Sequence, residues 1–166
     1  MESFSVIEEA PIQGSEALFQ AYKDMVYRLA LVRTKSPTDA EDITMEVFVR
    51  ALRRRPEWKS REHQKAWFIT TAVNCSKSFL TSAFRRHTVP EKEDIPIHMP
   101  EHSEVYDAVL ALPENYRTAV HLHYFEGYGV REIAQMMHSG ESTVKSWLFR
   151  ARDLLRKQLK GAYFDV

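Results

Sequence analysis

Apolar positions recur at three- and four-residue spacing along most of the chain, and no stretch sustains the alternation of a half-buried strand. Leu18, Tyr22, Met25, Val26, Leu29 and Arg33 trace one helical face, which the polar run "TKSPTD" interrupts. "TDAE", Thr38 to Glu41, has the form of a capping box, in which the Thr hydroxyl accepts from an early amide while the Glu reaches back. The helix it opens carries Ile43, Val47, Phe48, Ala51 and Leu52 on one face, and Pro56 stops it by removing a donor and clashing with the preceding turn. "PEWKSREHQ" is a polar loop holding one large aromatic, Trp58. A third helix is predicted from about Lys65 to Phe84, with Phe68, Ile69, Ala72, Val73, Ser76 and Leu80 inward.

The periodicity lapses over His87 to Ser103. There Pro90, Pro96 and Pro100 punctuate a run in which Glu91, Glu93, Asp94 and Glu101 outnumber Lys92. So polar a segment cannot bury enough apolar surface to order itself, and it is read as a flexible acidic linker. Beyond it, Val105, Val109 and Leu112 mark a short helix, and Pro113 opens the next, which carries Tyr116, Ala119, Val120, His123 and Tyr124. "EGYG", Glu126 to Gly129, breaks that helix; a short helix from Val130 to Met137 and a long one from about Glu141 to Leu159 complete the pattern. The expected fold class is all-α: two small helical domains, at 15–86 and 104–160, joined by the linker 87–103. Tails are expected at 1–14 and 161–166.

The last two helices carry the most specific pattern. Ile133, Ala134 and Met137 face inward from the first, and Val144, Leu148, Ala151 and Leu155 from the second. Ala134 is small where two helices must cross closely, and Gly140 sits in the turn, as in a DNA-reading helix-turn-helix. The opposite face presents Ser142, Thr143, Lys145, Ser146 and Phe149, flanked by Arg150 and Arg152. Short hydroxyls and a lysine at the start of such a helix suit base edges; arginines further along suit phosphates. The amides from Tyr128 to Arg131 are a candidate phosphate cradle. A plain helical hairpin with a solvated basic face is the alternative.

Composition narrows the function. Lys+Arg and Asp+Glu both number 23 in the 166 residues, so the chain is formally neutral, which argues against sequence-blind coating of nucleic acid. The single cysteine, Cys75, cannot form an internal disulfide and suits a reducing compartment. "MESFSVIEEAPIQG" lacks the basic and apolar parts of a signal peptide, and no apolar run approaches the ~20 residues a membrane span needs. A cytoplasmic protein is expected. His121 and His123 lie two apart on a helix; His98, His102 and His138 lack ligand spacing, and Cys75 has no paired cysteine. With no Gly-rich phosphate loop and no nucleophile–base set, neither metal, cofactor nor catalytic activity is expected.

The stretch "LPENYRTAVHLHYFEGYGVREIAQMMHSGESTVKSWLFRARDLLRK" closely resembles region 4 of bacterial sigma factors of the extracytoplasmic-function group, part of the sigma-70 family. The matching motifs are Leu112-Pro113, Tyr116-Arg117, Tyr124 to Gly127, Glu132 to Ala134, Thr143 to Ser146, and Arg150 to Arg152. "SPTDAEDITMEVFVRAL" resembles region 2.2 of the same family, and "KAWFITTAVNCSKSFLTSAFRR" resembles regions 2.3 and 2.4. The resemblance implies a protein that binds core RNA polymerase, reads the −35 promoter element with region 4, and reads and melts the −10 element with region 2. It also implies an anti-sigma factor as a partner. The linker would cross the polymerase interior as a nucleic-acid mimic, or act as a solvated tether.

The resemblance places capture of a −10 base at the 57–64 loop. Trp58, Lys59, Ser60, Arg61, His63, Trp67 and Asn74 are the candidate −10 residues, with Trp67 more readily read as a core aromatic. Asp39, Glu41, Asp42, Glu46 and Phe48 are the candidate polymerase-binding residues, the first acids also suiting a helix N-terminus. Arg50, Arg53, Arg54 and Arg55 form the basic end of that helix. A free-standing helix-turn-helix regulator that never meets polymerase is the rival expectation.

Overall fold

The computed structural model describes residues 9–86 and 104–163. Those residues hold seven α-helices, one π turn and no strand. The expected linker 87–103, most of the N-terminal tail and the last three residues lie outside the described residues.

The first module is α1 (Ser15–Thr34), α2 (Pro37–Arg54) and α3 (Arg61–Arg86). Lys35 ends α1 in the left-handed region at φ 56°, its N–H bonded to Leu31 O. The cap of α2 differs from the expected capping box. Ser36 is the N-cap, its hydroxyl accepting from Asp39 N at 3.3 Å, while Thr38 already lies inside the first turn. Pro37 decides the register: it has no N–H to leave unpaired, and its fixed φ suits the first helical position. Arg55 closes α2 in the left-handed region at φ 42°, its N–H bonded to Ala51 O, and the proline that follows disfavours any further helical residue. A turn earlier than predicted, α3 begins, because Ser60 Oγ accepts from His63 N at 3.1 Å and so caps it. The expected 57–64 loop is thereby shortened, and residues 61–64 form the first turn of α3.

The predicted stripes of α1 and α3 meet in this module's core. Tyr22, Phe48, Trp58 and Trp67 surround Phe68, which is fully buried. On α2 the buried set is Ala40, Ile43, Thr44, Val47, Phe48 and Ala51. Leu52, expected inward, is exposed beside Met45, since both fall roughly 100° or more off the centre of that stripe.

The second module is α4 (Glu104–Leu110), α5 (Glu114–Val120), the π turn His121–Phe125, α6 (Val130–Met136) and α7 (Glu141–Tyr163). Tyr106, Ala108 and Val109 are the inward residues of α4; Val105, expected among them, is exposed. Pro113 is the N-cap of α5. The π turn inserts one residue into the helical count and rotates the side chains beyond it. His121 and Leu122 are therefore buried, His123 is half-buried, and Tyr124 is exposed. The modules are not held apart. Helix α5 packs on α1, and α6 packs on α3.

Candidate nucleic-acid interface

In the helix-turn-helix, Ile133, Ala134, Met137, Val144, Leu148 and Ala151 are all buried, as their spacing predicts, with Leu155 half-buried. The turn closes through Met137 N to Ile133 O (2.9 Å), Ser139 N to Ala134 O (2.9 Å) and Val144 N to Gly140 O (3.1 Å). His138 takes the left-handed conformation of this turn, at φ 52°; Gly140 does not. A non-glycine residue there is uncommon but tolerated by His. The candidate phosphate cradle is occupied from within: Gly129 N donates to Glu132 Oε2 at 2.9 Å. A carboxylate at that position satisfies the helix start and repels a second anion.

With the apolar stripe of α7 inward, its other face is turned to solvent. Ser142, Thr143, Lys145, Ser146, Phe149, Arg150 and Arg152 are all exposed, Phe149 by 69%. Two phenols steady the arginines, Arg150 Nη1 donating to Tyr116 Oη (3.4 Å) and Arg152 Nη1 to Tyr124 Oη (3.2 Å). The π turn is what brings Tyr124 outward to meet Arg152. A large aromatic and two oriented cations thus border a start of short polar side chains.

The first module divides its candidate residues. Trp58 and Trp67 are half-buried, edge-to-face at 5.6 Å, and both lie against Phe68. Trp58, which the loop composition suggested as free, is thus packed, and its Nε1–H finds no acceptor among the described residues. Ser60 is buried and spends its hydroxyl on the cap. Lys59, Arg61 and His63 are exposed. Lys59 N donates to His63 Nδ1 at 3.1 Å, and Arg61 pairs with Glu9 at 2.6 Å. Asn74 is half-buried, and its Oδ1 lies 2.8 Å from His138 Nε2 of the helix-turn-helix.

On α2, Glu41, Asp42 and Glu46 are exposed and Asp39 is half-buried; Glu46 pairs with Arg50 at 3.1 Å. Phe48, expected on the same surface, is only 7% exposed and packs between Phe19 and Phe68, with ring centroids 5.0 and 5.3 Å away. Its place outside is taken by Met45 and Leu52. Together with Phe19 and Leu18 they line an apolar groove of about 300 Å³ between α1 and α2. Met45 escaped the sequence reading because a lone off-stripe methionine gives no periodic signal. Among the described residues no group of three His, Cys, Asp or Glu side chains is placed to hold a metal, and no helix is long and apolar enough to cross a membrane.

Two helical modules, the second a helix-turn-helix with the polar face of its last helix outward, define the architecture of a two-part DNA-binding protein. The family model described as Sigma-70 region 2 matches residues 18–86, and that described as Sigma-70, region 4 matches residues 102–155. The chain is 30% identical over 153 residues to the ECF RNA polymerase sigma factor SigM of Bacillus subtilis, covering 85% of this chain and 92% of that one. It is 28% identical over 177 residues to the ECF RNA polymerase sigma-E factor of Haemophilus influenzae, covering 93% and 92%. Among solved structures, the sigma factor RpoE of Bartonella quintana, crystallised with the anti-sigma factor NepR, shares the fold. Its TM-score is 0.72 at 22% identity, over 86% of this chain and 94% of that one. The chain belongs to the sigma-70 family, in its extracytoplasmic-function group.

Proposed function

We propose that this chain is an alternative sigma factor, a cytoplasmic initiation factor rather than an enzyme, which binds core RNA polymerase and directs it to particular promoters. Helix α7 reads the −35 element: Ser142, Thr143, Lys145 and Ser146 at base edges, Phe149 beside them, Arg150 and Arg152 on phosphates. The first module reads and melts the −10 element. There Lys59, Arg61, His63 and Asn74 supply the polar surface, and Trp58, Trp67 and Ser60 shape its floor. Polymerase engages α2 through Glu41, Asp42 and Glu46, beside the Met45–Leu52 groove; Asp39 and Phe48 support that face from within. The modules act as the separate units 15–86 and 104–160, with the acidic 87–103 between them. An anti-sigma factor is the expected inhibitor.

One observation carries this reading. Region 2 and region 4 matches occur in family order on two folded modules, and the exposed face of α7 holds the residues that a reading helix needs. Neutral net charge fits as well. Phosphate attraction is blind to sequence and falls steeply with salt, so a factor that must act only with polymerase gains from weak DNA affinity of its own. The test is run-off transcription with bacterial core polymerase on genomic promoter fragments. New start sites that depend on this chain are expected, together with its co-purification with the core enzyme. Failure to associate with core polymerase, or tight operator binding by the chain alone at physiological salt, overturns the proposal.

A further inference from the structure

The segment before α1, expected as part of a tail, is tied to the helix that carries most of the −10 candidates. The first amides of a helix have no partner within it. At the start of α3 two of them find one outside: Ser60 Oγ accepts from His63 N at 3.1 Å, and Glu9 O accepts from Arg61 N at 2.9 Å. Three residues past Arg61, Gln64 clasps the backbone of Ile12. Its Oε1 accepts from Ile12 N (3.0 Å) and its Nε2 donates to Ile12 O (3.0 Å). The Tyr22 phenol of α1 donates to the same Oε1 at 2.8 Å, which occupies both lone pairs of that oxygen.

Gln64 is fully buried, and a primary amide is costly to bury unless it is bonded. Here the amide is spent on Ile12 and Tyr22, so that it joins the N-terminal segment, α1 and α3 at one point. The Ile12 side chain packs against the core beside this joint. Gly14, at φ 93°, then turns the chain into α1, in a conformation that other residues rarely adopt. The Glu9–Arg61 ion pair adds little, since both side chains are exposed. The backbone bonds and Gln64 therefore hold the segment, and a terminal segment tied in this way is ordered with what it is tied to.

We propose that residues 9–13 are a strap that positions the −10 surface, and that Gln64 is its positioning residue, holding Lys59, Arg61 and His63 where the unpaired −10 strand meets them. The inference rests on the initiation reading above and concerns the first module alone. Arg61 and His63 lie on the first turn of α3, and Lys59 N donates to His63 Nδ1 at 3.1 Å, so the three polar residues move with that turn. Helix ends fray, whereas partners of a captured base must be held to within about 0.5 Å. Without the strap the turn keeps its Ser60 cap but loses its three hydrogen bonds to residues 9 and 12. The polymerase-binding residues of α2 and the reading face of α7 carry none of these bonds. Loss of the strap should therefore weaken capture of the −10 strand and leave the other two contacts alone.

The test compares the full wild-type chain with Gln64→Leu, which keeps an apolar body in the site and removes the clasp. Three affinities are read: the chain for core polymerase, and the assembled holoenzyme for a −35 duplex and for a single-stranded −10 oligonucleotide. Both DNA probes are cut from a promoter mapped by run-off transcription with the wild-type chain. Gln64→Leu should bind the −10 strand at least tenfold more weakly, with core polymerase and the −35 duplex each within about twofold of wild type. Amide exchange of Arg61 in the free chain, read by NMR, should quicken at least tenfold as its bond to Glu9 is lost. Ile12→Pro removes the Ile12 donor and leaves α3 untouched; it should give the same split, and it decides the matter if Gln64→Leu does not fold. Faster Arg61 exchange with an unchanged −10 affinity overturns the proposal. So does unchanged Arg61 exchange, and so does an equal loss in all three affinities, which marks Gln64 as a support of the fold alone. A wild-type chain that neither associates with core polymerase nor starts transcription defeats the initiation reading itself, and the strap's role with it, and is a distinct result from these.

Discussion

Lowering the pH should destabilise this protein through one side chain, His121. Its ring is 3% exposed and stacks on Phe125 at 5.5 Å, and neither ring nitrogen has a hydrogen-bond partner among the described residues. Burial pulls its pKa down to about 4; Glu126, 3.8 Å from Nε2, opposes that, and Arg28 of α1 adds to it. Glu126 is also engaged by Lys65, so its charge is shared. In the unfolded chain the ring titrates near ~6.5. The folded pKa lies below that value, so between the two the unfolded state binds more protons. Stability from this group is therefore complete above about pH 6.5 and is lost as pH falls toward about 4. A shift of roughly 2.5 units at ~1.4 kcal/mol each amounts to about 3 kcal/mol in full, of which about 2 kcal/mol is lost between pH 7 and pH 5. Urea unfolding at those two pH values, followed by far-ultraviolet circular dichroism, measures it. His121→Leu keeps an apolar body in the site and removes the titration, so its loss over the same interval should be smaller by about 2 kcal/mol. Parallel losses in the two proteins, or a folded-state His121 titrating near its ordinary value by NMR, would refute the reasoning.

Two further outcomes probe the first module. Phe68→Ala empties a fully buried site walled by Tyr22, Phe48, Trp58 and Trp67, and should cost about 3–5 kcal/mol in urea unfolding; a loss under about 1 kcal/mol would mean the site collapses or is not packed as described. Ser36→Ala should cost about 1 kcal/mol while Thr38→Ala costs less than about 0.5 kcal/mol, and the reverse ranking would restore the capping box to Thr38.

Much of the fold is legible because its determinants are local. The stripes of α1, α3, α6 and α7 repeat with the helical period, and a buried face leaves that period in the sequence. Where two local signals compete, only geometry decides. Ser36 and Thr38 both offer a capping hydroxyl, and the proline between them admits one register. The π turn leaves no such signature, since an inserted residue looks like ordinary helix until the side chains around it are placed. That is why nothing in the spacing shows that Tyr124 lies outside while His121 occupies the interior. Trp58 differs for a related reason: charged neighbours in sequence suggest exposure, but the loop turns it back onto Trp67 and Phe68.

The contact between the modules is illegible for a deeper reason. Arg33 continues the apolar spacing of α1, where an arginine ordinarily marks the solvated edge of a stripe, yet it is 1% exposed. Its partners, Thr118 and Glu114, lie more than 80 residues further along the chain. Arg117 carries weight in the sequence only as half of the Tyr-Arg motif; its donors acquire a purpose once the terminal carbonyls of α1 stand opposite. Periodicity records which face of a helix is buried, but not what buries it. A polar contact between distant helices adds nothing to either helix's pattern.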